Sequence, residues 1–302
     1  MVQGRIGTSR GSRGGKSFAP GQYGTIEGFD RASSLSAVGD RTSATASPKR
    51  IPEVAEDWIM ESIERKRSRL LLVSSLQRER IEEFVELLFD EESDDCRDML
   101  DDALADSGDP QKVVEVLLEP AARIIGEKWC ADECDLLKVT IAVSRMQRLF
   151  RHMAAETPIG VLPDLSRCAL LTPAPGEQHT FGLSVVDDAF RRAGWEVDCC
   201  GCDEEMDVYR LVANNHYQII GISVSVERHL PDLALLGRKL RSRSRNKSIV
   251  LIAGGSLVME NPQGAIDAGF DLLAVDAVSA VALAETVVAS LATDIEQSIA
   301  AE

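Results

Sequence analysis

The stretch RCALLTPAPGEQHTFGLSVVDDAFRRAG (residues 167–194) decides the fold of this chain. It opens with an apolar run typical of a buried strand, passes through a polar loop, and continues as a helix-like run that ends at Gly194. Four further strand-like runs alternate with helix-like runs up to residue 293. This alternation predicts a mostly parallel, doubly wound sheet with right-handed crossovers. Five strands favour a flavodoxin-like order over a six-strand dinucleotide fold.

The alternation of apolar and polar residues sets the expected boundaries of these strands and helices. Strands are predicted at 167–172, 196–200, 217–226, 248–253 and 270–275, and helices at 181–193, 206–214, 230–242, 261–268 and 279–293. The helix at 230–242 has a basic face. These elements form a predicted Rossmann-like domain over residues 166–297.

The chain before residue 157 has a different character. Residues 1–50 are rich in Gly, Ser, Arg, Thr and Ala, and we expect them to be a disordered basic tail. Residues 70–155 carry apolar side chains at helical spacing and predict four main helices, with Asp109 as an N-cap and Pro110 in a first turn. With a lead-in helix from Ile51, they form a predicted helical-bundle domain at 51–156.

Charge is unevenly distributed along the chain. The net charge is −16, but residues 1–50 carry eight Lys and Arg against three Asp and Glu, a net +5. The other 252 residues carry 25 against 46, a net −21. An acidic body argues against non-specific nucleic-acid binding by the fold itself. The basic tail is either a solvated segment or a contact for an acidic partner or DNA.

Seven cysteines without a framework spacing indicate reduced thiols and a cytoplasmic protein. Cys130 and Cys134 make only a weak zinc motif, because no paired cysteines or neighbouring histidine complete it. We see no secretory signal and no apolar run long enough to span a membrane, so we expect no membrane insertion.

Three loops at predicted strand ends carry the residues that suggest chemistry. Ligands of open α/β sheets bind at these carboxyl ends. The loops contain Glu177-Gln178-His179-Thr180-Phe181-Gly182, Ser223-Val224-Ser225, and Gly254-Gly255. A carboxylate two residues before a histidine can orient its imidazole, and two adjacent glycines leave a slot between strands. The combination suits a large cofactor that holds a metal and has a tail to bury.

Each motif alone also has an ordinary explanation. A histidine after a strand is commonly a loop residue, Gly-Gly is commonly a turn, and Ser-x-Ser at a strand end is commonly a cap. It is their occurrence at successive strand ends that favours a binding site.

These motifs resemble those of cobalamin-binding modules, in which a helical cap precedes a Rossmann-like vitamin B12 domain. The family pattern Asp-x-His-x-x-Gly corresponds here to Glu177, His179 and Gly182. The later Ser-x-Leu and Gly-Gly motifs correspond to Ser223 with Ser225, and to Gly254-Gly255. The resemblance implies that His179 is the lower axial ligand of cobalt and that the detached nucleotide tail enters the slot. Glutamate replaces the family's aspartate, and Ser225 replaces its leucine.

The helical half extends the resemblance. Residues 121–129 resemble the stretch before the cap tryptophan of B12 domains, so Trp129 is implied to cover the upper face of the corrin. Its other possible role is that of an ordinary core aromatic. The Glu-His pair of the light-sensing B12 repressors is missing from residues 139–148. The chain is therefore similar to the AerR/PpaA-type antirepressors of purple photosynthetic bacteria, which act on PpsR/CrtJ-type repressors.

This resemblance implies a light-responsive regulator, not an enzyme, that uses adenosylcobalamin or hydroxocobalamin. The implied partner is a PpsR/CrtJ-type repressor. His229 is a possible upper ligand, because it follows the Ser223–Ser225 loop. Two alternatives stay open: the corrinoid protein of a methyltransferase system, and a heme-binding sensor in which His179 holds iron.

Overall fold

The fold is built on a five-stranded parallel sheet. The computed structural model describes residues 53–71, 75–90, 95–199 and 205–300, so the predicted basic tail lies outside the described residues. The strands are β1 (Asp164–Pro173), β2 (Trp195–Cys199), β3 (Ile219–Ser223), β4 (Val250–Gly254) and β5 (Leu272–Leu273). Their order is β2-β1-β3-β4-β5, all parallel. This confirms the predicted flavodoxin-like order and places the switch point between β1 and β3.

Helices precede the sheet and connect its strands. The first part of the chain forms α1 (Glu53–Leu71), α2 (Ser75–Phe89), α3 (Asp95–Ser107), α4 (Pro110–Val113), α5 (Glu119–Cys130) and α6 (Leu136–Glu156). The sheet half contributes α7 (Phe181–Arg192), α8 (Glu205–Asn214), α9 (Leu230–Arg243), α10 (Ser256–Glu260), α11 (Pro262–Asp267) and α12 (Ala277–Ala300). The chain is thus a helical region followed by an α/β sheet, as the sequence predicts.

The helix predicted over residues 110–129 is interrupted by one wide turn. Asp109 caps its start as predicted, accepting a bond of 2.9 Å from the Gln111 N–H. Residues Val114–Leu118 then form a π-helical turn before α5. Pro120 follows this turn and has no N–H to donate to the carbonyl four residues earlier. The wide turn accommodates that missing bond, which helical periodicity alone does not predict.

Two predicted strands are too long. At the end of β3 the Val224 N–H still donates to the Gly254 carbonyl of β4 at 2.9 Å, whereas the Ser225 N–H donates to the side chain of Glu177 at 2.7 Å. β5 is short, and the side chain of Asp271 just before it accepts from the Leu251 N–H at 2.7 Å. Side-chain acceptors therefore replace ladder bonds at both places.

Helix α7 joins the helical region to the sheet. Val185 and Ala189 belong to the core of the helical region, whereas Leu183 and Phe190 belong to a core beneath the sheet. Phe181 also packs edge-on against Phe150 of α6, with ring centroids 5.8 Å apart. The helix that follows the His179 loop is therefore in contact with both halves. The proposed limits of two domains, at 51–156 and 166–297, remain predictions.

None of the helices in the described residues combines the length and apolar character needed to cross a membrane.

Candidate cofactor site

A tight turn carries the chain from β1 to the His179 loop. Its four residues are Ala174-Pro175-Gly176-Glu177, and the Glu177 N–H donates to the Ala174 carbonyl at 2.9 Å. Gly176 has φ +77°, a conformation that suits the third position of a turn with proline at the second. The Pro-Gly pair is the local signal for this turn. As a result, Glu177 enters the sheet's carboxyl edge at a fixed position.

Glu177 is the hydrogen-bonding centre of the site. Its side chain is 1% exposed. Oε1 accepts from the N–H groups of Gln178 and His179, each at 2.9 Å, and lies 2.5 Å from Nδ1 of His179. Oε2 accepts from the Ser225 N–H at 2.7 Å. One carboxylate thus joins the loops that follow β1 and β3, which are neighbours at the switch point.

The surroundings of Glu177 favour its ionised form. Burial alone raises the pKa of this carboxyl, but bonds from the backbone N–H groups of His179 and Ser225 and from the His179 imidazole outweigh burial. The pKa therefore lies below its ordinary value. Because a carboxylate can only accept, it selects the neutral tautomer of His179 in which Nδ1 carries the proton, and in that tautomer the Nε2 lone pair can bind a ligand.

His179 is presented outward from this network. Its side chain is 69% exposed, in contrast to the buried carboxylate that holds it. Thr180 is the N-cap residue of α7, and Gly182 lies in the first turn of that helix. A Cβ added at Gly182 would meet no atom within 4 Å. The first turn of α7 therefore leaves open space at Gly182, three residues after His179.

The two glycines after β4 have different surroundings. A Cβ at Gly254 would lie 3.6 Å from its closest neighbour, the Ala274 carbonyl oxygen, which is ordinary contact. Gly255 has φ +101°, and a Cβ there would overlap the backbone of Val224. Ser256 Oγ also donates to the Ser225 carbonyl at 3.1 Å. The expected empty slot is therefore filled at Gly255, because the main chain after β3 packs into the space that the missing side chain leaves.

The remaining sequence candidates are placed differently. Ser223 pairs with Gly254 across β3 and β4, and its carbonyl accepts from the Ala174 N–H at 2.8 Å. Trp129, at the end of α5, is 43% exposed and is not a core aromatic. His229 is only 6% exposed, and its ring lies beside Gly176, where an added Cβ would be 3.3 Å from Cε1. It supports the turn before Glu177 and does not stand free at a pocket mouth.

The donor set at this site suits a metal that arrives with most of its ligands. Among the described residues, no group of three or more His, Cys, Asp or Glu side chains is placed to hold a metal ion. His179 offers one nitrogen, and Glu177 is occupied in orienting it. A macrocycle that already fills the other positions of its metal fits this arrangement, whereas a bare ion does not.

Comparisons with known proteins agree with this chemistry. Two family models described as a B12 binding domain match residues 80–153 and 167–284. An uncharacterized 20.5 kDa protein in the bchF-crtJ intergenic region of Rhodobacter capsulatus is 32% identical over 161 residues, covering 52% of this chain and 81% of that protein. The chain belongs to the B12-binding family. It is a cobalamin-binding protein with a helical region and a Rossmann-like sheet.

A solved corrinoid-binding protein shares the fold. The monomethylamine corrinoid protein of Methanosarcina barkeri superposes with a TM-score of 0.57 at 16% identity, covering 68% of this chain and 97% of that one. A cobalamin-binding protein from Desulfitobacterium hafniense covers 68% of this chain and 98% of its own, at 16% identity and a TM-score of 0.36. At such identities the first likeness shows the fold alone.

Sequence reasoning missed three parts of this candidate site. Gly176 shapes the turn, Ser256 ties its hydroxyl to the β3 loop, and Phe181 contacts the helical region. The Pro-Gly pair signals the first of them. The other two depend on contacts between distant segments, and no local pattern predicts them.

Proposed function

We propose that this cobalamin-binding protein is a light-responsive regulator of transcription, without catalytic activity of its own, that acts through a PpsR/CrtJ-type repressor. The observation that carries the cofactor assignment is the exposed His179, held at Nδ1 by the buried Glu177. In this proposal Nε2 of His179 would bind the cobalt of the cofactor. Glu177 is a positioning residue that fixes the tautomer and the direction of the ring.

The residues around His179 would hold the rest of the cofactor. Gln178 and Thr180 are the chain neighbours of His179, and Gly182 leaves open space three residues later. The nucleotide tail would enter near Ser223, Val224, Ser225, Gly254 and Gly255. Since the Val224 backbone occupies the space above Gly255, tail entry would displace this segment. That displacement would change the hydrogen bond that the Ser225 N–H donates to Glu177.

The light response would arise from the helical region. Adenosylcobalamin, when bound, supplies a cobalt–carbon bond that light cleaves. In our proposal Trp129, which is exposed in this structure, would cover the bound cofactor in the dark and would repack after illumination. A regulator needs such a two-state element whose balance the signal changes. The contact between Phe150 and Phe181 offers a route between the His179 loop and the helical region.

The proposed partner is supported by the relative from Rhodobacter capsulatus. That protein is described by its position in the bchF-crtJ intergenic region. We infer that this chain acts on a PpsR/CrtJ-type repressor, and that the repressor or the basic tail is one route by which it reaches DNA.

Absorption spectroscopy tests the cofactor assignment. The full chain, His179→Ala and the control His216→Ala are mixed with adenosylcobalamin in darkness, and their spectra are recorded before and after illumination. His216 is also exposed but precedes β3, at the opposite edge of the sheet. We expect the wild type and the control to bind and to change spectrum on illumination, and His179→Ala to lose the histidine-ligated spectrum. Wild-type behaviour of His179→Ala overturns the ligand assignment.

Three further measurements separate the alternatives. Binding of the repressor by the chain is compared without cofactor, with adenosylcobalamin in darkness, and after illumination; equal affinity in all three states contradicts a light-responsive regulator. Methyl transfer to the Co(I) form in the presence of a methyltransferase subunit instead indicates a corrinoid carrier. If the chain binds heme and does not bind adenosylcobalamin, it is a heme sensor.

A further inference from the structure

A basic surface lies at the end of the sheet opposite the cofactor site. It consists of six cations within ten residues, with no acidic residue among them: Arg238, Lys239, Arg241, Arg243, Arg245 and Lys247. These residues form the second half of α9 and the loop before β4. In a parallel sheet that loop lies at the amino edge, whereas the loops after β1 and β3 lie at the carboxyl edge. We call the six residues the basic edge.

One member of the basic edge has a structural role. Arg241 pairs with Asp271 at 2.6 Å and donates to the carbonyls of Ile249 and Gly269. It ties α9 to the strands beneath. The other five cations are not explained by this role.

Four of these five cations are held at the surface in defined positions. The guanidinium of Arg243 and the ammonium of Lys239 lie 4.4 and 5.5 Å from the centre of the buried Tyr209 ring. Arg245 donates to the Asn214 carbonyl at 3.2 Å, and Lys247 donates to the Ser242 carbonyl at 3.2 Å. Within the part of the chain that the structure describes, no carboxylate pairs with Arg243, Arg245 or Lys247. Their charge is therefore available to an outside anion.

The composition of the basic edge decides which anion fits. Residues 238–248, all of them described, expose no large apolar side chain. Protein interfaces derive their affinity mainly from buried aromatic and apolar anchors, which this surface lacks. Binding to the phosphate backbone of nucleic acid needs none, because it is driven by release of counterions. Arginine forks and the exposed hydroxyls of Ser242 and Ser248 are also common phosphate donors.

From these observations we propose that the basic edge binds the phosphate backbone of double-stranded DNA. The net charge of −16 does not oppose this, because it averages over surfaces of opposite sign. The acidic remainder of the molecule repels DNA and so orients the basic edge towards it. The cofactor site stays accessible, since it lies at the other edge of the sheet.

Charge reversal with a matched control tests this inference. The full chain is titrated, without cofactor, onto a labelled duplex of about 30 base pairs at about 50–200 mM salt, with anisotropy as the readout. The test variant is Arg245→Glu with Lys247→Glu. The control is Arg148→Glu with Arg151→Glu on the exposed face of α6, which changes the net charge equally. A third variant, Arg245→Lys with Lys247→Arg, retains the charge.

The expected result is specific to position. The test variant should bind at least about tenfold more weakly at low salt, and its salt dependence should fall by about two ion equivalents. The control and the charge-retaining variant should behave like the wild type. Equal loss in the test and control variants, or no DNA binding by the wild type, overturns the inference. It is also overturned if polyglutamate displaces the labelled duplex as well as unlabelled duplex does. Cobalamin binding is measured on each variant as a check of folding, and it does not depend on whether the basic edge binds DNA.

Discussion

Replacing Glu177 by glutamine perturbs the centre of the cofactor site without changing its shape. The carboxylate accepts four bonds, three at Oε1 and one at Oε2. In glutamine one oxygen can still accept three, but the amide NH₂ then faces the Ser225 N–H. Leaving one buried donor unpaired costs about 1–3 kcal/mol, and neutral acceptors are weaker than charged ones. Relief of the buried charge offsets part of this loss, so we expect a net destabilisation of about 2 kcal/mol.

Urea denaturation of the cofactor-free chain measures this loss at neutral pH. The control is Glu83→Gln, an exposed residue of α2 whose replacement removes the same charge. Its free energy of unfolding should change by less than about 0.5 kcal/mol. If Glu177→Gln is as stable as this control, the carboxylate does not hold the two loops together.

The pH dependence of the same difference has a defined sign. The pKa of Glu177 is lowered in the folded state, so its stabilisation is present above the unfolded pKa. It is lost as the pH falls through the folded pKa. The difference in unfolding free energy between wild type and Glu177→Gln should therefore become smaller on acidification. A difference that stays constant from neutral to acid pH contradicts the argument. For cobalamin, loss of the orienting carboxylate should weaken binding about 10- to 100-fold.

Four further substitutions test other parts of the candidate site. Gly182→Leu should leave the unfolding free energy of the cofactor-free chain within about 1 kcal/mol, because open space surrounds that position, but should weaken cobalamin binding in a spectroscopic titration. Unchanged binding contradicts the placement of the cofactor beside Gly182. Gly255→Ala should cost at least about 2 kcal/mol in urea denaturation, since it combines positive φ with overlap on Val224, whereas Gly254→Ala should cost less than about 1 kcal/mol. Similar losses for the two glycines refute the distinction. Trp129→Ala should change the melting temperature little, because the ring is exposed, yet should alter the rate of the light-induced spectral change. Identical photolysis rates mean that Trp129 does not cover the upper ligand.

Much of the site could be predicted because it follows from local pattern. The apolar run before residue 173 and the helical run after Phe181 place the His179 loop at a strand's carboxyl end. The two-residue spacing of Glu177 and His179 already allows the carboxylate to reach Nδ1, as the structure has it. Longer-range geometry could not be predicted in this way. Nothing near Gly255 in the sequence indicates that the backbone of Val224 fills its missing side chain.

The sequence by itself therefore determined the element order, the helical region before the sheet, and the loop that carries the histidine. These features follow from periodicity and turn chemistry, which act over a few residues. Only the tertiary structure decided that Ser225 donates to Glu177, that His229 is buried beside Gly176, and that Trp129 is exposed. Those contacts join segments tens of residues apart, and they depend on the register of β1 against β3 and on how α5 and α7 pack. Neither the register nor the packing is written in any single stretch of the chain.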